Sequence, residues 1–472
     1  MPTLRPGYLA FVSIVLATLP TLGMTITLNP LPAQDSAIQV QLTYMGTMPA
    51  SLAGSVRTNA TSPVAVGSHL LLVDQTGFVY QRDVGGALTT VFTPTDAPAG
   101  LSLMGEKILN VVSNQAGNAL YVAFTSATTP AGTPVSISPR GNASAYQVIY
   151  RYDFDGTSVS NPQPLRAFAV NPTGHTGGGM AVLDDGSLLF TTGDHGDAGE
   201  DGRSFAQDSV SHLSKIVQIN PSTGDTTIVA KGVRNVQRLA MTQHEGKTYV
   251  DFVDIGGNVA EELNTVLLAD LLDPTRVENF GWGRNSTDNL AREGTFYIDA
   301  NGQAVSAAPL GEAGFLQPLA QWGREAQSFV AGTGSISCAD AFRNIDTLFG
   351  DLPSGTVYAI QSRNAGLLAD VRRVNLVDAT LHATTLSALA GGRPDPRFFC
   401  FADGSAGVLL ERTGDFYRLA EIASIPEPSS LLLCALPALL LLIQHSQHKR
   451  RGSAPVPCDA DEPWSGLWGQ AR

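Results

Sequence analysis

Apolar residues along this chain come in short runs of four to eight, and each run ends at a turn signal. Such hairpin-like pairs recur at Ser68–Arg82, Ile108–Phe124, Gln147–Phe154, 180–192, Ile216–Ala230, Leu239–Val253, Asp346–Ile360 and Phe398–Leu419. The clearest is Met180–Leu183 and Leu188–Thr192, joined through Asp185-Gly186, a dipeptide that favours the tight turn of a β-hairpin. Lys215–Asn220 follows as a further strand, closed by Pro221. No long amphipathic helical pattern lies between residues 50 and 420. Short strands with regular turns and no helices between them predict an all-β sandwich, barrel or propeller; the period and the length favour a propeller.

The ends have a different grammar. Residues 1–24 carry Arg5 and an apolar run from Tyr8 to Leu22, the pattern of a secretory signal peptide, and 25–64 read as a leader. At the other end, Ile425-Pro-Glu-Pro-Ser-Ser430 precedes the apolar run Leu431–Ile443 and the basic cluster Lys449-Arg450-Arg451. Thirteen apolar residues are short for a membrane span, which needs about 20. Helices confined to the ends are expected at 1–24 and 431–443, and 452–472 form a polar tail.

Composition agrees with a turn-rich β protein: 48 glycines and 28 prolines among 472 residues, with only 15% charged. The net charge of −13 argues against nucleic acid and anionic membrane surfaces as partners. Of the four cysteines, Cys434 and Cys458 lie in the C-terminal segments, leaving Cys338 and Cys400 in the body. Export would permit a disulfide between these two, though spacing alone does not decide it. There is no CxxC, so no thiol-based metal site is expected.

Chemistry concentrates at 174–220. His175 stands before three glycines and the 180–192 hairpin, and Gly193-Asp194-His195-Gly196 leaves it. Glycines beside a histidine let backbone and a flat ligand come close; an isolated histidine in such a loop is more often merely exposed. The ordered block, however, is His-x-Gly-Gly, strand, Asp-Gly, strand, Gly-Asp, Ala206-Gln207-Asp208, then Lys-Ile-x-x-Ile-Asn. It resembles the glucose/sorbosone dehydrogenase family of soluble sugar dehydrogenases that use pyrroloquinoline quinone (PQQ). Further matches are Lys231–Met241 (KGVRNVQRLAM, with Val236 for a family Pro), Asp254-Ile-Gly-Gly257 with Glu261-Glu262-Leu263-Asn264, Asn279-Phe-Gly-Trp-Gly283, the 349–358 stretch, and Arg393-Pro-Asp-Pro-Arg397. The C-terminal Pro-Glu-Pro, apolar and basic run resembles the PEP-CTERM sorting signal, read by an exosortase-like protease, although the tail 452–472 departs from that pattern.

The resemblance implies a six-bladed β-propeller over 65–420, exported to periplasm, surface or matrix. It implies PQQ and calcium as cofactors, a small sugar as substrate and an external electron acceptor. His175 would be the general base for the anomeric hydroxyl, because an imidazole titrates near neutrality. Arg234 and Asn235 would share its cleft. Arg234, Arg393 and Arg397 are the candidates for the quinone's carboxylates, since arginine pairs bidentately with them. The backbone carbonyls of Gly256 and Gly257 stand where the family holds calcium, with Ile255 where a polar residue would serve better. Three departures stand out: no Lys in Asp351–Gly355, Gly174 where the family has an Asp, and no matching Gln near Ala99-Gly100. They keep open a second reading, a non-catalytic surface propeller that binds carbohydrate or protein. The acidic run Asp184, Asp185, Asp194, Asp197, Glu200 and Asp201 reads as a solvated loop in preference to a second calcium site, because its spacing matches no EF-hand.

Overall fold

The computed structural model describes residues 35–422, apart from 50–60, 62, 137–143, 172–173, 196–204, 258, 285–289, 300–302, 309–311, 324–337, 339–341, 343–344 and 364–370. The expected terminal helices at 1–24 and 431–443, the sorting segment 425–451 and the tail lie outside the described residues. Within them the chain is nearly all β, as its short apolar runs predict. Helix among the described residues is confined to short pieces, Leu268–Leu271, Leu386–Ala390 and the two residues 205–206, besides a 3-10 turn at Pro94–Asp96. No helix among the described residues is long and apolar enough to cross a membrane.

Successive antiparallel meanders follow one another along the chain. Val64–Val66 to Leu88–Phe92 form the first sheet, Leu103–Ser113 to Val159–Val170 the second, and Gly177–Val182 to Thr226–Lys231 the third. Ala240–His244, Lys247–Asp254 and Ala260–Leu267 are completed by Ala320–Gly323, after an inserted small sheet between Gly283 and Ala307. Thr347–Gly350 to Val371–Val377 and Pro396–Cys400 to Asp415–Ile422 come last. These last two join into one sheet through Asp35–Thr47, which pairs in parallel with Val371–Val377 and antiparallel with Asp415–Ile422. Residues 35–47 thus belong to the domain, where the sequence reading had a leader. Ile38, Val40 and Leu42 point into the core and the residues between them outward, so the alternation of a half-buried strand is present.

The sheets pack face to face in order. Phe92 of the first meets Phe124 of the second at 5.9 Å, and Phe168 of the second stacks on Phe190 of the third at 5.4 Å. Leu189 and Ile216 share a core with Val250 and Phe252, and Val253 and Leu263 share one with Phe349 and Tyr358. Leu70 and Leu72 of the first sheet pack with Leu409 and Phe416 of the last, so the ring closes. Middle strands such as Ala119–Ser126 and Leu188–Thr192 are therefore buried on both faces. That explains why they read as continuous apolar runs without alternation. Cys338 and Cys400 form a disulfide, with Cα atoms 5.7 Å apart.

Candidate active site

The site is built where loops leave the third and fourth sheets. Before Gly177–Val182 the backbone turns through two residues of positive φ, Gly174 and His175 (+47°). It then runs so close to the next loop that a Cβ on Gly193 would lie 1.6 Å from the His175 carbonyl. Only glycine permits that approach. The contact is stitched by His195 N–H donating to His175 O and Gly193 N–H to Thr176 O, both 3.3 Å. A Cβ on Gly174 would meet nothing within 4 Å, so the position beside the imidazole borders open space.

This approach delivers Asp194 beneath His175. Its buried carboxylate lies 2.9 Å from Nδ1 of His175 through Oδ1 and 3.7 Å from Nε of Arg234 through Oδ2. The acidic run therefore divides: Asp185 caps its own hairpin turn, Asp194 is a buried partner of the histidine, and Asp197, Glu200 and Asp201 lie outside the described residues. A carboxylate accepts only, so Nδ1 carries the proton and Nε2 presents its lone pair, on the hydrogen-bond network's assignment. Nε2 accepts from Nη2 of Arg234 at 3.0 Å.

Arg234 and Asn235 are fixed by their backbones before their side chains act. Their N–H groups donate to the two oxygens of Asp254, at 2.8 and 2.7 Å. Asn235 Oδ1 accepts from Gly177 N–H at 3.1 Å, which ties the two loops together. Nη1 of Arg234 donates to the carbonyls of Ile255 (2.7 Å) and Gly256 (2.5 Å), and its guanidinium lies 5.3 Å from the ring centre of Trp282. The 255–260 turn is held from below: Gly256 N–H donates to Glu261, and Val259 and Ala260 N–H to Glu293, the latter from the inserted sheet. Burial pushes the Asp254 carboxyl up to about 7 and that of Glu262 up to about 8.

The structure thus brings His175, Arg234, Asn235 and the Gly256 backbone into one cluster, with Gly257 beside it, packed near Trp282 and Glu293. Among the described residues Arg393 and Arg397 make no contact with this cluster. Arg393 pairs with Asp395 at 2.6 Å and stays half-exposed; Arg397 is buried on Glu411. Arg397 borders Arg238, whose pKa is lowered by burial and then by this neighbouring charge. Asp194, Asp254, Trp282 and Glu293 were not singled out from the sequence. Asp194, Asp254 and Trp282 had a signal there, as members of the Gly-Asp, Asp-Ile-Gly-Gly and Asn-aromatic-Gly-Trp motifs; Glu293 had none.

The donor set can be tested against the implied groups. For a flat polyanion the cluster offers one cation, the Arg234 guanidinium, lying against the His175 imidazole. A calcium ion does not fit as the residues stand, because the Gly256 carbonyl already accepts from Arg234. Among the described residues no three His, Cys, Asp or Glu side chains are grouped to hold a metal ion.

A closed ring of antiparallel sheets with a His–Asp–Arg cluster on its loops defines a propeller-type protein. Residues 115–364, more than half of the chain, match the family model "Glucose / Sorbosone dehydrogenase", and the chain belongs to that family. No curated protein matches it. Among solved structures it is similar to the PQQ-bound form of aldose sugar dehydrogenase from Streptomyces coelicolor, at 18% identity over 82% of this chain and 100% of that one, TM-score 0.54. It is also similar to an oxidoreductase of Thermus thermophilus described as a glucose dehydrogenase, at 17% identity over 81% and 100%, TM-score 0.53. At these identities the likeness is one of fold.

Proposed function

We propose that the protein is an exported quinoprotein that oxidises the anomeric hydroxyl of an aldose, with PQQ as cofactor and an external electron acceptor. The observation that carries this reading is the His175 arrangement: Nδ1 held by Asp194, and Nε2 left with its lone pair towards Arg234. Family membership and the PQQ in the Streptomyces structure support the cofactor. When bound, PQQ supplies the acceptor for the hydride of the anomeric carbon.

The chain's own residues do the rest. Nε2 of His175 takes the hydroxyl proton, and Asp194 stabilises the imidazolium that results. Arg234 offers its guanidinium to the anionic ligand, and Asn235 keeps the two site loops in register through Gly177. Calcium at Gly256 and Gly257 belongs to the reading only if Arg234 releases the Gly256 carbonyl, so no step runs through it. Export is supported by the signal-like 1–24 and by the Cys338–Cys400 disulfide, a bond at home in oxidising compartments. The end 425–451 would then be processed by an exosortase-like protease.

The second reading, a sugar- or protein-binding propeller without catalysis, is favoured by the absence of a Lys in 351–355. One experiment separates them. Purified protein is mixed with PQQ and calcium, the bound-quinone absorption is recorded, and dye reduction by a panel of aldoses is followed. Quinone binding with turnover that His175→Ala abolishes supports the dehydrogenase. Quinone-independent sugar binding with no turnover supports the alternative.

A further inference from the structure

The segment next to His175 lies partly outside the ladder of its own sheet. Gly177–Val182 pairs with Leu188–Thr192 from Val182↔Leu188 to Met180↔Phe190, then the register shifts and resumes only at Gly177↔Thr192. Backbone groups left in such a shift need other partners. Gly179 N–H donates to Thr191 Oγ1 at 2.7 Å. Two carbonyls are taken by amide side chains of the second sheet, from Leu103–Ser113 and Ala145–Phe154. Asn110 Nδ2 donates to Gly178 O at 3.1 Å, and Gln147 Nε2 to Thr176 O at 2.5 Å, beside the longer bond from Gly193. Asn110 stands at a register shift of its own strand, and its Oδ1 is fixed by Val111 N–H at 2.9 Å.

These amides are unfavourable where they are. Both are buried, and Gln147 Oε1 meets no donor among the described residues. Gln147 lies opposite Thr125 on one neighbouring strand and Phe168 on the other. An apolar side chain would suit that position better. What Gln147 supplies there is one hydrogen bond, on the residue next to His175. His175 itself holds a φ of +47°, a conformation that persists only where its surroundings enforce it.

We propose that Gln147 and Asn110 are positioning residues, a clasp of two amides that fixes the 176–178 backbone and so keeps the His175 imidazole on Asp194 and aimed at the substrate. Each acts through a backbone carbonyl, not on the substrate. The proposal rests on the reading of His175 as the general base. Without the clasp, His175 relaxes to negative φ and its ring turns away from Asp194.

The test uses the full-length protein and two readouts. Gln147→Met keeps the length and removes the donor. Gln147→Glu offers an O–H to Thr176 O when protonated and only acceptors when charged; burial raises its pKa into an accessible range. With PQQ bound and turnover counted per bound quinone, kcat of Gln147→Met and of Asn110→Leu falls by about 10–10²-fold at unchanged KM. Gln147→Glu approaches wild-type kcat at low pH and loses it as pH rises, a profile that lost packing alone does not give. Without cofactor, the downfield NMR signal of the His175 Nδ1 proton, assigned by its loss in His175→Ala, disappears in Gln147→Met and in charged Gln147→Glu. Wild-type kcat per quinone in Gln147→Met overturns the clasp. Where that variant does not fold, a Gln147→Glu pH profile parallel to that of wild type overturns it. If wild type shows no turnover, the dehydrogenase reading fails and the proton signal alone decides: lost in the Gln147 variants, the clasp stands; unmoved, it falls.

Discussion

Asp194 decides what His175 can do. With a carboxylate 2.9 Å from Nδ1, the proton stays on that nitrogen and the lone pair stays on Nε2, which acts as a base once a substrate hydroxyl replaces Arg234 Nη2 as its partner. Asn in place of Asp194 offers an N–H to Nδ1 and drives the proton to Nε2, the wrong tautomer. Asp194→Asn is expected to lower kcat for dye reduction by about 10²–10⁴-fold while PQQ still binds. Unchanged kcat in that variant would remove His175 from the proton transfer. The histidine was legible in the sequence because it stands beside glycines in an ordered block. The role of Asp194 was not, since nothing in an acidic, Gly-rich stretch tells a buried aspartate from Asp197 or Asp201. What sets it apart is its N–H bond to Arg234 O, 40 residues away along the chain.

Between elements, two fastenings show the same limit. Arg363 reaches from one sheet into its neighbour, where Nη1 and Nη2 grip both oxygens of Asp251 at 2.9 and 2.5 Å and Nε holds Asp346 at 2.9 Å. Its guanidinium also covers the ring of Tyr249 at 5.2 Å. Asp251 is fully buried, so Arg363→Met leaves it uncompensated and is expected to cost about 3–5 kcal/mol in urea unfolding. Adding Asp251→Asn should recover part of that loss, whereas strict additivity would mean the pair is not coupled. The Cys338–Cys400 disulfide spans 62 residues, for which the chain-entropy account gives about 4 kcal/mol; a reductant should lower Tm accordingly, and an unmoved Tm would show the bridge to be unformed in solution. Strands were readable because burial on both faces writes itself into local composition. The Asp35–Thr47 strand, the inserted sheet and Arg363 were not, because each finds its meaning in a partner distant in sequence.

At the scale of the whole molecule, an acidic protein has placed several carboxyls inside, around the 254–262 turn. Burial raises Asp254 from 3.8 to about 7 and Glu262 from 4.5 to about 8, with the charge of Asp254 adding to the burden on Glu262. The native state therefore keeps protons that the unfolded chain releases between about pH 4 and 8, and stability falls as pH rises through that range. Among the groups that act in the opposite sense, two are deeply buried bases. His195, which burial lowers to about 4, costs stability as pH falls below 6.5; Lys215, which burial lowers to about 7, adds stability as pH rises from there towards 10.5. Comparing wild type with Glu262→Gln cancels both backgrounds. The variant should lose part of the downward slope of Tm between about pH 5 and 8, so the two curves converge or cross as the pH rises. Parallel curves for the two proteins would mean that Glu262 is ionised in the native state across the whole range, and that the inserted sheet's Gly294 N–H together with Asn264 suffices to hold it so.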